Sequence, residues 1–166
     1  MSEGSGSRPR RAGSFERVLA FLEAHGLADR IVQFDDRSTK TSQLAADAVG
    51  CELGQIVKSL VFVADGAPVL ALVAGDRRGD AQAIADLVGA KTARFADAEA
   101  VRDATGYAIG GVSPFDLPEA LTVLVDDSLA RFETVYTAAG TPQSMVRMDR
   151  TALLELVGGH VARISR

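Results

Sequence analysis

The stretch Val57-Lys58-Ser59-Leu60-Val61-Phe62-Val63-Ala64-Asp65-Gly66-Ala67-Pro68-Val69-Leu70-Ala71-Leu72-Val73-Ala74 decides the fold. Two apolar, β-branched runs, Val57 to Ala64 and Pro68 to Ala74, flank Asp65-Gly66-Ala67, and an Asp-Gly pair in that position marks a hairpin. Neither run alternates with polar residues, so both faces of the hairpin are apolar. It is predicted to lie centrally, covered on both sides.

Outward from the hairpin, the N-terminal side carries an i, i+3, i+4, i+7 stripe of Phe15, Val18, Leu19 and Leu22 after Ser14 and before Gly26. That spacing predicts an amphipathic helix with a serine N-cap. Ile31 to Phe34 reads as a short strand. Thr41 or Ser42 caps a second helix over Leu44, Ala45, Ala48 and Val49, closed by Gly50.

On the C-terminal side, Asp80 to Val88 and Asp97 to Ala104 read as helices, with Lys91 to Phe95 a strand between them. Gly106 to Pro118 is rich in glycine and proline and reads as a structured loop. Leu121 to Val125, Thr134 to Ala138 and Ser144 to Met148 read as strands. Asp149 caps a helix through Leu153, Leu156 and Val157, and His160 to Ile164 is a last strand. The elements interleave without a regular βαβ rhythm, which predicts a mixed α/β (α+β) fold: a curved, mostly antiparallel sheet flanked by helices.

A chain of 166 residues with 47 % hydrophobic content is one domain able to bury a core. We divide it into a disordered tail, residues 1–12, and a single domain, residues 13–166. The opening MSEGSGSRPRRA has no apolar segment for secretion, and no run reaches the roughly 20 apolar residues of a membrane span. One cysteine, Cys51, makes no internal disulfide, and no Cys/His cluster has metal-ligand spacing, so neither metal nor cofactor is expected. A cytoplasmic location is expected. The net charge is −4, and the one basic cluster, Arg8, Arg10, Arg11 and Arg17, sits at the start. Extended nucleic-acid binding, DNA included, is therefore not expected, and any contact with nucleic acid should be local.

Two features carry chemistry. Lys58 alternates onto the same face as Leu60 and Phe62, where a lysine either snorkels from the strand end or meets an anion at the mouth of an apolar pocket. Gly110-Gly111 in Gly106-Tyr107-Ala108-Ile109-Gly110-Gly111-Val112-Ser113-Pro114 is either a surface turn or a segment whose N–H groups face a ligand as an oxyanion site. No Gly-Lys-Ser/Thr or strand–GxGxxG–helix unit accompanies it. Asp126-Asp127-Ser128 reads as a turn or cap, with a carboxylate that could face the same cleft. His25 and His160 stand alone, without a nucleophile motif.

The segment Ile56 to Phe62, the loop Thr105 to Phe115 with its Gly-x-x-x-Pro pattern at Gly110 to Pro114, and Leu121 to Asp127 leading to Thr134-Val135-Tyr136 occur in that order. The set resembles the YbaK/EbsC group, the prolyl-tRNA synthetase-associated editing domains, from about Ile31 to the C-terminus. The resemblance implies a compact mixed α/β domain that hydrolyses the ester of mischarged tRNA without a metal. It implies catalytic roles for Lys58, Gly110 and Gly111. Substrate contacts are expected from Ser59, Leu60, Phe62, Thr105, Ile109, Val112, Ser113, Pro114 and Asp126. The implied partner is the tRNA acceptor end, with prolyl-tRNA synthetase a candidate second partner, and the chain's size implies an editor acting in trans. A non-catalytic module binding an aminoacyl-tRNA end or a synthetase is the alternative. A Schiff-base enzyme using Lys58 is a third reading, weakened by the lack of a second cation or acid near it in sequence.

Overall fold

The computed structural model describes residues 13–166, and the expected disordered tail with Arg8, Arg10 and Arg11 lies outside them. In chain order the elements are α1 (Ser14–Ala24), β1 (Ile31–Gln33), α2 (Ser42–Val49), β2 (Val57–Ala64), β3 (Ala67–Ala74), α3 (Ala81–Val88) and β4 (Ala93–Phe95). There follow α4 (Ala98–Thr105), β5 (Thr122–Asp126), a 3-10 turn (Asp127–Arg131), β6 (Thr134–Ala138), β7 (Ser144–Asp149), α5 (Arg150–Val157) and β8 (His160–Ala162). No helix among the described residues is long and apolar enough to cross a membrane.

The β2–β3 hairpin is the centre of the molecule. Asp65 and Gly66 form its two-residue loop, with φ of 47° and 83°, the left-handed pair that matches strand twist. β3 therefore starts one residue earlier than expected, at Ala67. Pro68 sits ahead of Val69–Leu72, the stretch that pairs with β5, so its missing N–H interrupts no ladder there. One hairpin face buries Val57, Val61, Leu70, Leu72 and Ala74 against Val18 and Leu22 of α1 and against Tyr107, Val112 and Phe115. The other buries Phe62, Ala64, Val69, Ala71 and Val73 against Ile84 of α3 and Ile164. Both faces are covered, as the unbroken apolar pattern requires.

The fold is mixed α/β with mostly antiparallel pairing, but its strands divide into two sheets rather than one. The larger has the order β4-β2-β3-β5-β8, with parallel pairing at β3–β5 and β5–β8. The smaller is antiparallel, β1-β7-β6. The 3-10 turn after β5 redirects the chain, so β8, not β6, lies beside β5. Among the described residues the sheets join through a single parallel bridge, between Ile56 and Tyr136.

Two caps differ from expectation. Ser14 is the first residue of α1 and Gly13 its cap, with no side-chain bond. Asp149 occupies the cap of α5, yet its side chain makes no capping bond. Thr41 does cap α2, accepting from the Leu44 N–H at 3.1 Å.

Candidate active site

β4 pairs with β2 only at Phe62, Val63 and Ala64, and the Ala96 N–H reaches the Val61 carbonyl just beyond, at 2.9 Å. Farther down that edge, among the described residues, β6 pairs with the backbone only at Ile56, beside the Gln55 side-chain amide that donates to the Thr134 carbonyl at 3.1 Å. Between the two contacts the edge of β2 is uncovered. Outward-facing residues alternate along a strand, so Ser59, two before Val61, turns its N–H and C=O to the open side. The gap is a cleft of about 280 Å³. Its walls are Thr39–Ser42 and Ala45 at the start of α2, Ile56 to Leu60, Gly110 and Val112, and Ala138 and Met145 from the smaller sheet. At roughly 30 Å³ per water this is the space of about nine waters, enough for a small acyl ester and far too small for a nucleic-acid helix.

Lys58 lines this cleft, half-buried, with Nζ donating to the backbone carbonyl of Arg77. Burial pushes its pKa below the usual lysine value, the Asp76 carboxylate pulls it back up, and Arg78 pushes it down again. Asp76 is itself held by Arg131 through two hydrogen bonds of 2.7 and 2.8 Å, which keep its carboxyl below the ordinary range. The Lys58 ammonium is thus aimed by a carbonyl and faced by a fixed counter-charge.

Of the residues singled out in the sequence, Lys58, Ser59, Leu60, Gly110 and Val112 come together around the cleft. The Ser59 hydroxyl is buried with no hydrogen-bond partner among the described residues. Gly111 and Ile109 sit at the tip of the glycine loop, where Ile109 is 59 % exposed, and neither lines the cleft.

The others serve the scaffold. Phe62 shares the hairpin face of Lys58 and Leu60 but is fully buried farther along the strand, its ring 4.5 Å from that of Phe95. Thr105 and Ser113 are buried and brace the loop. The Thr105 hydroxyl donates to the Val101 carbonyl at 2.7 Å and accepts from the Tyr107 N–H, and the Ser113 hydroxyl accepts from the Phe115 N–H. Pro114 is buried behind the loop. Asp126 does not face the cleft. Its carboxylate caps the 3-10 turn through the Ser128 N–H and accepts from the Ile164 N–H at 2.8 Å and the Ser165 hydroxyl at 2.7 Å. Burial alone would raise its pKa, but those bonds together outweigh it and hold the carboxyl below the ordinary value.

Sequence reasoning missed the opposite wall. Lys40 brings a second cation to the cleft from the segment before α2, and Thr39, Thr41 and Ser42 bring hydroxyls with it. The Thr-Lys-Thr-Ser run was legible as a helix cap, and a cation beside a helix N-terminus is a local sign of anion binding. Ala138 and Met145 have no such signal, because only the bridge at Ile56 brings their sheet to β2.

Known proteins share the sequence and the fold of this chain. Residues 36–156 match the family model described as "Aminoacyl-tRNA editing domain". The protein YwhH of Bacillus subtilis is 37 % identical over 121 residues, 72 % of this chain and 76 % of its own. The "Multifunctional Ser/Thr-tRNA deacylase ProXp-y" of Escherichia coli is 28 % identical over 145 residues, 84 % of this chain and 82 % of its own. A crystal structure described as "a putative trans-editing enzyme for prolyl tRNA synthetase" superimposes with a TM-score of 0.82 at 41 % identity, covering 92 % of this chain and 97 % of that one. With the family match spanning most of the described residues and the fold shared over most of the chain, this chain belongs to the aminoacyl-tRNA editing domain family.

Proposed function

We propose that the protein is a trans-acting aminoacyl-tRNA deacylase that hydrolyses the ester joining a small wrong amino acid to the terminal ribose of tRNA. The observation that carries this reading is the cleft itself. A half-buried ammonium, the uncovered edge at Ser59 and the backbone of Gly110 bound a space sized for one acyl ester. Water adds across the acyl carbon–oxygen bond, and the products are the free amino acid and the tRNA hydroxyl.

Lys58, fixed by the Arg77 carbonyl and rimmed by Lys40, holds the terminal phosphate and ester region. Peptide N–H groups at Gly110 stabilise the oxyanion as the carbonyl turns tetrahedral. Among the described residues, no histidine or carboxylate lines the cleft. The substrate's own free ribose hydroxyl or amino group orders the attacking water, and binding supplies the proximity. Such a site is useful because a synthetase gains only about 1–3 kcal/mol of discrimination from a missing methylene, too little to reject a slightly smaller amino acid.

The partner is the acceptor end of a mischarged tRNA. The two lysines of the cleft suit local contact with its phosphates despite a net charge of −4. Likeness to a protein described as a trans-editing enzyme for prolyl tRNA synthetase favours tRNA-Pro as the substrate, and that synthetase as the enzyme whose errors are corrected. A cytoplasmic site of action follows from that substrate. The test is a deacylation panel of tRNA-Pro charged with Ala, Ser, Thr or Cys. At least one charge is expected to be lost with wild-type protein and retained with Lys58→Ala. Absence of turnover on every charge by folded protein overturns the reading, and binding without turnover installs the non-catalytic module instead.

A further inference from the structure

The glycine loop that forms one wall of the cleft is gripped at both ends by α1, a helix that precedes the family-matched residues 36–156. The guanidinium of Arg17 makes the grip. Its Nη2 donates to the Asp116 carbonyl at 2.6 Å and to the Thr105 carbonyl at 3.4 Å, and its Nε donates to the Asp116 carboxylate at 3.2 Å. The same group lies 4.2 Å from the centre of the Tyr107 ring. One planar fork therefore ties residue 105 to residue 116, the entry and the exit of the loop.

Three further observations make this a built clamp. Gly106 has φ of +78°, and a Cβ there would stand 2.6 Å from Nη1 of Arg17, so the guanidinium occupies the place of a side chain. Asp116 holds a left-handed φ of 55°, a costly conformation for aspartate, and both its carbonyl and its carboxylate are bound by Arg17. The Tyr107 hydroxyl donates to the Phe115 carbonyl at 2.7 Å, closing the neck a second time, and Phe21 of α1 stacks on Phe115 with ring centres 5.5 Å apart. Beyond the neck the tip is exposed at Ile109 and Gly110.

We propose that Arg17 is a positioning residue for deacylation: by pinching the loop neck it sets the Gly110 and Val112 backbone against Lys58 across the cleft. The inference rests on the deacylase reading for its kinetic consequence but not for its structural one. Arg17 does not line the cleft. It acts through the loop amides, whose value lies in being fixed before the oxyanion forms. Lysine is a poor substitute, because it lacks the fork that binds the Asp116 carboxylate through Nε while Nη2 holds the two carbonyls, and the flat face that lies over Tyr107.

The test compares wild type with Arg17→Met, Arg17→Lys and Asp116→Asn by backbone hydrogen exchange and deacylation kinetics. In Arg17→Met, exchange of Tyr107–Phe115 is expected to rise by about tenfold or more while β2 and β3 keep their protection. Its kcat is expected to fall about 10- to 100-fold with KM nearly unchanged, the pattern of a group lost only to the transition state. Arg17→Lys and Asp116→Asn should lie between it and wild type. Loop exchange at the wild-type rate in Arg17→Met overturns the clamp, as does unchanged kcat in an active protein. If Arg17→Met fails to fold, the two milder variants decide by the same criteria. If wild type proves inactive on every charged tRNA, the deacylase reading falls and the exchange result alone judges the clamp.

Discussion

The ammonium of Lys58 donates to the backbone carbonyl of Arg77, so the one charged side chain on the first half of β2 is held inside the cleft rather than released to water. This arrangement separates the needs of the site from those of the fold. Burial is the main force lowering the Lys58 pKa, so between its folded and unfolded values the unfolded chain binds the proton more strongly. Stability therefore rises with pH across that window, and below the folded value the cost of burying the charge is fully present. Lys58→Met is expected to be no less stable than wild type at pH 7 and to lose this rise in alkali, read from melting curves at several pH values. Its deacylation is expected to drop about 10²–10³-fold, the range for removing an oxyanion-type contact.

The two adjacent glycines of the loop are not equivalent. Gly110 holds φ of +82° with open space where a Cβ would stand, so alanine there meets strain but no clash. Gly111 has no positive φ, and a Cβ would lie 3.6 Å from the Ala108 carbonyl, an ordinary contact. Gly110→Ala is expected to cost about 1–2 kcal/mol in urea unfolding and to slow deacylation, and Gly111→Ala to leave both near wild type.

Lys40 stands at the cleft as an exposed cation, and under the proposed function it would attract the phosphates of the substrate. Lys40→Gln is expected to raise KM with kcat preserved. It should also flatten the salt dependence of KM by about 0.7 for each phosphate no longer neutralised, the slope for single strands. Titrating salt against both proteins checks it.

Asp126 is expected to matter to stability and not to turnover. Burial opposes its ionisation, yet its three hydrogen bonds prevail and lower its pKa. Their contribution is complete above the unfolded value and is lost as pH falls through the folded one. Asp126→Asn should cost about 1–3 kcal/mol at pH 7, show a shallower loss of stability in acid, and deacylate at the wild-type rate.

What the sequence made legible was local. The Asp-Gly hairpin, a cap at Thr41 or Ser42 and the unbroken apolar runs each depend on neighbours within a few residues; the hairpin forms with Ala67 already in β3, Thr41 is the cap, and both apolar faces are buried. Lys58 and Gly110 were legible as exceptions to their surroundings. The division into two sheets was not, because it turns on the 3-10 turn after β5 and on one bridge between Ile56 and Tyr136. The same cause hid Ala138 and Met145. Phe62 misled for a different reason: alternation puts it on the face of Lys58, but by that point β4 has closed over the strand and α3 has covered that face.

The uncovered stretch of β2 has a consequence for assembly as well as for chemistry. A bare row of backbone donors and acceptors invites a strand from another molecule to add itself, the usual route to aggregation. Here the Thr39–Ser42 segment and Gly110 and Val112 of the glycine loop line the same cleft, and their bulk is expected to obstruct an approaching polypeptide. Enlarging the cleft by trimming either segment would thus trade wider substrate tolerance for a surface that recruits its own kind.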